Sequence, residues 1–175
     1  MRGYALRAAT EADVPEIAAI YAREVAEGSA SWELEPPDAT AMRERFRAVL
    51  DGGYPYLVAT QGTRIIGFAY AGPYRPRPGY RYAVEDSVYV AADARGHGIG
   101  GSLLAALIDA CAERGYRQMV AVIGGSDQMG SIRVHAANGF VEVGRLPALG
   151  RKFDRWLDSV LMQRALGDGS ATPPG

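Results

Sequence analysis

Residues 84–101, VEDSVYVAADARGHGIGG, leave few ways for this chain to fold. The stretch opens with strand-like alternation that runs into Val88, Tyr89 and Val90, side chains suited to a pleated surface. A polar turn over 91–94 follows, then Arg95 and four glycines within six residues, at 96, 98, 100 and 101. Helical spacing begins at once, with Leu103, Leu104, Leu107, Ile108 and Cys111 on one face. A strand that enters a helix through glycines gathers backbone N–H groups around an anion. First-turn amides have no internal partner, and the helix dipole adds partial positive charge there. Glycine also removes the Cβ that would hold a phosphate away. A phosphate-bearing ligand is therefore expected at 95–101.

Two glycine patterns compete for that ligand. Gly96, Gly98 and Gly101 fit the spacing G-x-G-x-x-G of dinucleotide sites, but five residues separate Val90 from Gly96. The next strand ends in Gly124 and Gly125, where a dinucleotide site needs an acid. No lysine follows the glycines as a nucleotide P-loop requires. The second pattern, Arg95-x-x-Gly98-x-Gly100, resembles the pyrophosphate loop of the GNAT superfamily of N-acetyltransferases. The resemblance runs over residues 4–166 and narrows to the branch that contains phosphinothricin and methionine sulfoximine acetyltransferases. It is carried by 84–90 (VEDSVYV), 120–124 (VAVIG), Ser131-x-x-x-His135-x-x-x-Gly139-Phe140, and Gly150-x-Lys152-Phe153-x-x-Trp156-x-Asp158, in that order.

The resemblance implies an α/β GNAT fold: a mixed, mostly antiparallel central sheet of about seven strands flanked by about four helices. It implies acetyl-CoA as co-substrate, its pantetheine arm lying along Val88, Tyr89 and Val90 beside a splay between strands. The pyrophosphate would sit on Arg95, Gly96, His97, Gly98, Ile99, Gly100 and Gly101. For Arg95 and His97 a solvated loop position is the competing reading. Ser131 and Gln128 would also touch the cofactor, Gln128 standing on a longer arm where the family has asparagine.

Glu85 in V-E-x-S-V-Y-V matches the proposed general base of the family, acting directly or through water. A carboxylate in the middle of a sheet is costly unless satisfied or used, and partial burial raises its pKa toward neutrality. The competing reading is an ion pair with an arginine such as Arg75. Asp86 faces the other way on a strand and cannot share that role unless the strand is bulged. His135 shares a helix face with Ser131. It stands where many superfamily members carry a tyrosine that protonates the departing thiolate, and it could do that, bond the ligand, or simply pack. Trp32, Tyr74 and Ser87 are expected at the acceptor. Arg75, with Arg77 second to it, would clamp an acidic acceptor, since a guanidinium matches a carboxylate or phosphinate bidentately. The expected reaction is acetyl transfer to the α-amino group of phosphinothricin, methionine sulfoximine or methionine sulfone. A polyamine, aminoglycoside or protein N-terminus is the alternative acceptor, and a non-catalytic acyl-CoA binder the alternative class. The segment 74–81 is basic, which disfavours a polyamine.

A chain of 175 residues with 48% hydrophobic composition suits one domain, expected over 1–166. A net charge of −1 without a basic block argues against a nucleic-acid partner. Cys111 lies on an apolar helix face and reads as a buried thiol, and the histidines show no metal-ligand spacing. No apolar run approaches the roughly 20 residues that span a bilayer, and no signal peptide is recognisable. A cytoplasmic location is expected, and the resemblance implies a homodimer.

The remaining elements are expected as follows. Strands fall at 4–8, 56–60, 64–71, 82–91, 118–123, 140–145 and 155–163. Helices fall at about 10–28, 38–50, after the glycine loop to 113, and at 131–138. The proline-rich 72–79 should be an irregular loop, and 167–175, rich in Gly, Ser and Pro, a disordered tail.

Overall fold

Local chemistry sets the first elements. Strand β1 (Ala5–Ala8) leads to Thr10, whose N–H and hydroxyl both donate to the Asp13 carboxylate. That cap opens a short 3₁₀ turn and then helix α1 (Val14–Glu27), with Pro15 in the first turn, where its missing N–H costs nothing. Val14, Ile17, Tyr21 and Val25 are buried along one stripe, and Gly28 closes the helix. Asp38 caps α2 (Ala39–Asp51) by accepting from the Ala41 N–H at 2.8 Å. The computed structural model describes residues 3–125 and 128–174 of the chain.

Strands β2 (Tyr56–Gln61) and β3 (Arg64–Pro73) form the expected hairpin, followed by β4 (Ala83–Val90), α3 (Ile99–Glu113) and β5 (Gln118–Gly124). Then come α4 (Met129–Ala137), β6 (Val141–Lys152) and β7 (Arg155–Ala165). Among the described residues the sheet has seven strands in the order β1-β2-β3-β4-β5-β7-β6, and its only parallel pair is β4 with β5. Its two faces are covered separately. Residues from α1 and α2, including Ile17, Val25 and Phe46, pack on Val58 and Phe68. On the other face α3 buries Leu103, Leu104, Leu107 and Cys111 completely against Ala69, Val84 and Met119. Each such leucine contributes about 1.5–3 kcal/mol of apolar burial, which fixes α3 and hence its glycine-rich N-terminus on β4.

Strand β6 is longer than composition predicts. Pro147 and Gly150 interrupt the sequence pattern, yet pairing continues to Lys152, with register shifts at Glu142/Gly144 and Leu146/Gly150. An edge strand tolerates proline because one side of its backbone has no ladder to donate to. The β6–β7 turn places Phe153 and Asp154 at φ 51° and 56°, the left-handed geometry that matches strand twist. Within the stretch expected as a disordered tail, residues 167–172 take up turns and bends. Gly169 N–H donates to Leu166 O, and Arg117 donates to Thr172 Oγ1 and Pro173 O. The last residue of that expectation, Gly175, lies outside the described residues.

Candidate active site

β4 and β5 pair only at Ala83↔Gln118, Val84↔Met119 and Glu85↔Val120. Both strands run on, to Val90 and Gly124, without pairing with each other any further, so the sheet parts just beyond Glu85. The facing edges keep backbone N–H and C=O groups that an extended chain of amides could pair with. Two cavities meet in this gap. One, of about 280 Å³, is lined by Trp32, Glu33, Glu85, Ser87 and Ile123 among others. The other, of about 460 Å³, is lined by Arg95, Gly96, Gly98, Ile99, Gly100, Gly101 and Gln128. Val88, Tyr89, Ser131 and His135 border both.

The glycine loop has the form expected of an anion cradle. Gly98, the residue before α3, sits at φ 77°, a conformation that strains any side chain with a Cβ. The Ile99 side chain is buried in the core, which leaves its backbone at the helix start. A Cβ at Gly96 or Gly98 would meet no protein atom within 4 Å, so these glycines keep space open for something else. Among the charged side chains, Arg95 donates to Glu24 at 2.7 Å and to Val90 O at 3.2 Å. His97 is exposed and bonded to the carbonyl oxygens of Ala94 and Arg95. Gln128 donates to Ser29 Oγ at 2.8 Å, so its amide is tied to the loop after α1.

Glu85 and Asp86 divide the two faces of β4. The Glu85 carboxyl is held above the usual carboxylate range by burial first and by the neighbouring Asp86 charge second, with Arg75 pulling the other way. Asp86 is buried on the opposite face and accepts from His135 Nε2 at 2.9 Å. His135 Nδ1 lies 2.8 Å from the Ser131 carbonyl and 3.4 Å from the Ser131 hydroxyl. A carbonyl can only accept, so Nδ1 donates; with a carboxylate on Nε2, both nitrogens carry protons. Burial opposes that charge, but the Asp86 hydrogen bond and charge, with the Ser131 carbonyl, outweigh it and raise the histidine pKa. The site therefore holds a buried imidazolium–carboxylate pair bridging β4 and α4.

The acetyltransferase (GNAT) family model matches residues 17–140. A phosphinothricin N-acetyltransferase from Alcaligenes faecalis is 50% identical over 169 residues, covering 97% of this chain and 86% of the relative. An L-methionine sulfoximine/L-methionine sulfone acetyltransferase from Pseudomonas paraeruginosa is 41% identical, covering 96% and 98%. The chain belongs to the GNAT family of acetyltransferases. A crystal structure of a phosphinothricin acetyltransferase from Sinorhizobium meliloti in complex with AcCoA superimposes with a TM-score of 0.96 at 45% identity, covering 100% of this chain and 94% of that one.

In this acetyltransferase the sequence-predicted residues fall into two groups. Trp32, Glu85 and Ser87 line one cavity together, while Tyr74, Arg75 and Arg77 stand outside its lining. Arg75 lies over the Tyr74 ring at 5.2 Å, and Tyr74 meets Tyr80 edge-on at 5.7 Å. Arg75 thus reaches the site as a charge felt by Glu85. Val88 and Val90 pack toward the α3 core, whereas Tyr89 faces α1, edge-on to Tyr21. Sequence reasoning missed the partners that hold these parts. Glu24, buried, joins Arg95 to the Ala30 N–H, and Tyr21 bonds Ser31 Oγ at 3.0 Å. Glycines at 124 and 150 lie against the Trp32 ring, and glycine inside a strand is the one signal that marks such an approach.

Proposed function

We propose that this acetyltransferase moves the acetyl group of acetyl-CoA to the α-amino group of a small amino-acid-like acceptor of the phosphinothricin, methionine sulfoximine or methionine sulfone type. The observation that carries the reading is Glu85. It is a half-buried carboxyl of raised pKa, set where β4 and β5 part and lining the Trp32 cavity beside the unpaired strand edge. Acetyl-CoA supplies an activated thioester. The glycine loop and the α3 N-terminus hold its phosphates, and the open edge of 86–90 holds its amide chain. Glu85, with its affinity for a proton increased by burial, takes one from the acceptor ammonium by direct contact. Arg75 supplies positive charge for the acceptor's acidic group from just outside the cavity. Trp32 and Ser87 shape the acceptor side. His135, kept charged by Asp86, places a proton source beside the Ser131 hydroxyl, on the wall where the thiolate departs.

The exposed apolar side chains of Leu146, Leu149, Phe153 and Trp156 on the β6–β7 hairpin support a homodimer. The deciding experiment is a panel of amines assayed by CoA-thiol release and product mass: phosphinothricin, methionine sulfoximine, methionine sulfone, a polyamine, an aminoglycoside and a peptide with a free N-terminus. Turnover confined to the amino-acid analogues supports the reading. Preference for any other amine, or none at all, refutes it.

A further inference from the structure

The wall that carries Trp32 has no regular structure of its own. Residues 28–38 link α1 to α2 without helix or strand, yet Ser29 and Ser31 are almost completely buried. Buried backbone carbonyls need partners. Two of them, Gly28 O and Ser31 O, accept from one ammonium, Lys152 Nζ, at 2.8 and 3.0 Å. Lys152 itself is only 4% exposed and makes no ion pair among the described residues. Its ammonium also lies over the Phe153 ring, 5.0 Å from the centroid. Burial pulls its pKa down, against the opposing charges of Glu24 and Glu33. A buried ammonium held by carbonyls alone is a costly way to pack a strand end, so the contact calls for a reason.

A second observation points to the same place. A Cβ built on Gly150, two residues before Lys152, would lie 2.0 Å from Trp32 Cζ3. A Cβ on Gly124 of β5 would lie 3.3 Å from the same ring and 2.4 Å from Ser29 O. The Trp32 loop is therefore seated on the backbones of β5 and β6, and the ammonium fastens it there from across the sheet. We propose that Lys152 is a positioning residue for the acceptor: it pins residues 28–31 onto the β6–β7 hairpin and so fixes Trp32 as the wall of the acceptor cavity. This rests on reading the Trp32 cavity as the acceptor site. Lys152 bonds Gly28 O and Ser31 O and reaches the glycine loop only indirectly, through Ala30 and Glu24, so its loss should weaken acceptor binding far more than cofactor binding.

The test has two arms so that the two readings fail separately. Trp32 and Trp156 are the only tryptophans, so a Trp156→Phe background leaves Trp32 as the sole reporter. Lys152→Met keeps an unbranched apolar stem out to Cε and removes the ammonium. In that background it should raise acrylamide quenching of Trp32 and raise the KM of the best acceptor by about tenfold or more. The Kd for acetyl-CoA should stay within about twofold of the parent, and kcat at saturating acceptor should fall far less than kcat/KM. Lys152→Arg, which keeps a cation, should recover part of both effects. If the parent acetylates no amino-acid analogue, the acceptor reading fails, and quenching alone still decides the pinning. Unchanged quenching overturns the proposal, as does an equal loss of affinity for both substrates. If Lys152→Met does not fold, Gly150→Ala displaces Trp32 directly. It must give the same acceptor-only defect, and a normal acceptor KM there overturns the proposal as well.

Discussion

Replacing His135 by phenylalanine tests whether the Asp86–His135 pair holds the cleft together. The ring is replaced by one of similar width that cannot donate a hydrogen bond. The side chains of His135 and Asp86 are 5% and 2% exposed and 2.9 Å apart, and Asp86 Oδ1 is buried without a partner among the described residues. His135→Phe therefore strands a carboxylate in the core. Breaking a buried pair from one side costs about 3–5 kcal/mol, which in a domain of this size lowers Tm by roughly 6–20 °C. Asp86→Leu/His135→Phe removes both charges and should recover most of that loss. The pH dependence has a definite sign. The His135 pKa is raised in the folded state above its ordinary 6.5. Its contribution is thus complete below the unfolded value and lost as pH rises through the folded one. The groups facing the ring are Asp86 from β4, the Ser131 carbonyl and hydroxyl from α4, and the Phe140 ring. Urea unfolding at pH 6 and pH 9 should show the wild type losing stability across that interval more steeply than His135→Phe. A variant within about 1 kcal/mol of wild type, or one that keeps the wild-type pH slope, would refute the pair.

Acetyl-CoA should raise Tm, and Gly98→Val should abolish most of that shift. The variant puts a branched side chain at φ 77° in the space the phosphates need, and calorimetry showing wild-type affinity would contradict the loop's role. Arg75→Ala should raise the acceptor KM while leaving acetyl-CoA binding unchanged, and should matter little for amines without an acidic group. Equal effects on both substrates would make its loop structural. Sedimentation should find a dimer, with Trp156→Glu shifting it toward the 18.7 kDa monomer. A wild-type monomer at micromolar concentration would remove the homodimer.

The parts of this enzyme that were legible in the sequence are those set by local rules. Apolar alternation through 84–90, glycines at 96–101 and leucines at helical spacing forecast a strand, a loop and a helix, because each depends only on neighbours in the chain. Strand alternation also put Asp86 on the face opposite Glu85. What could not be read was the partner, His135, which lies 49 residues on and meets Asp86 only because α4 packs under the parted strands. Lys152 was visible as part of a motif but had no role, since its two carbonyl partners lie more than 120 residues earlier. The full length of β6 was hidden by Pro147 and Gly150, whose local signal says turn while an edge position and a close-packed tryptophan accommodate both. For Arg75 the sequence offered a charge suited to an acidic acceptor but no location, which depends on how 72–81 folds back; the fold puts it beside the cavity, over the Tyr74 ring.

The most direct measurement of the central claim is the pH–rate profile of Glu85→Gln with the best amino-acid acceptor. Glutamine keeps the shape of the side chain but cannot accept the ammonium proton. With Glu85 as base, kcat at neutral pH should fall by about 10²–10⁴-fold, the usual worth of a positioned general base, while acetyl-CoA binds normally. Part of the rate should return as rising pH supplies neutral amine, and the ionisation that shapes the wild-type kcat/KM should be missing. Near wild-type turnover by a folded Glu85→Gln protein, with that ionisation intact, would contradict the account.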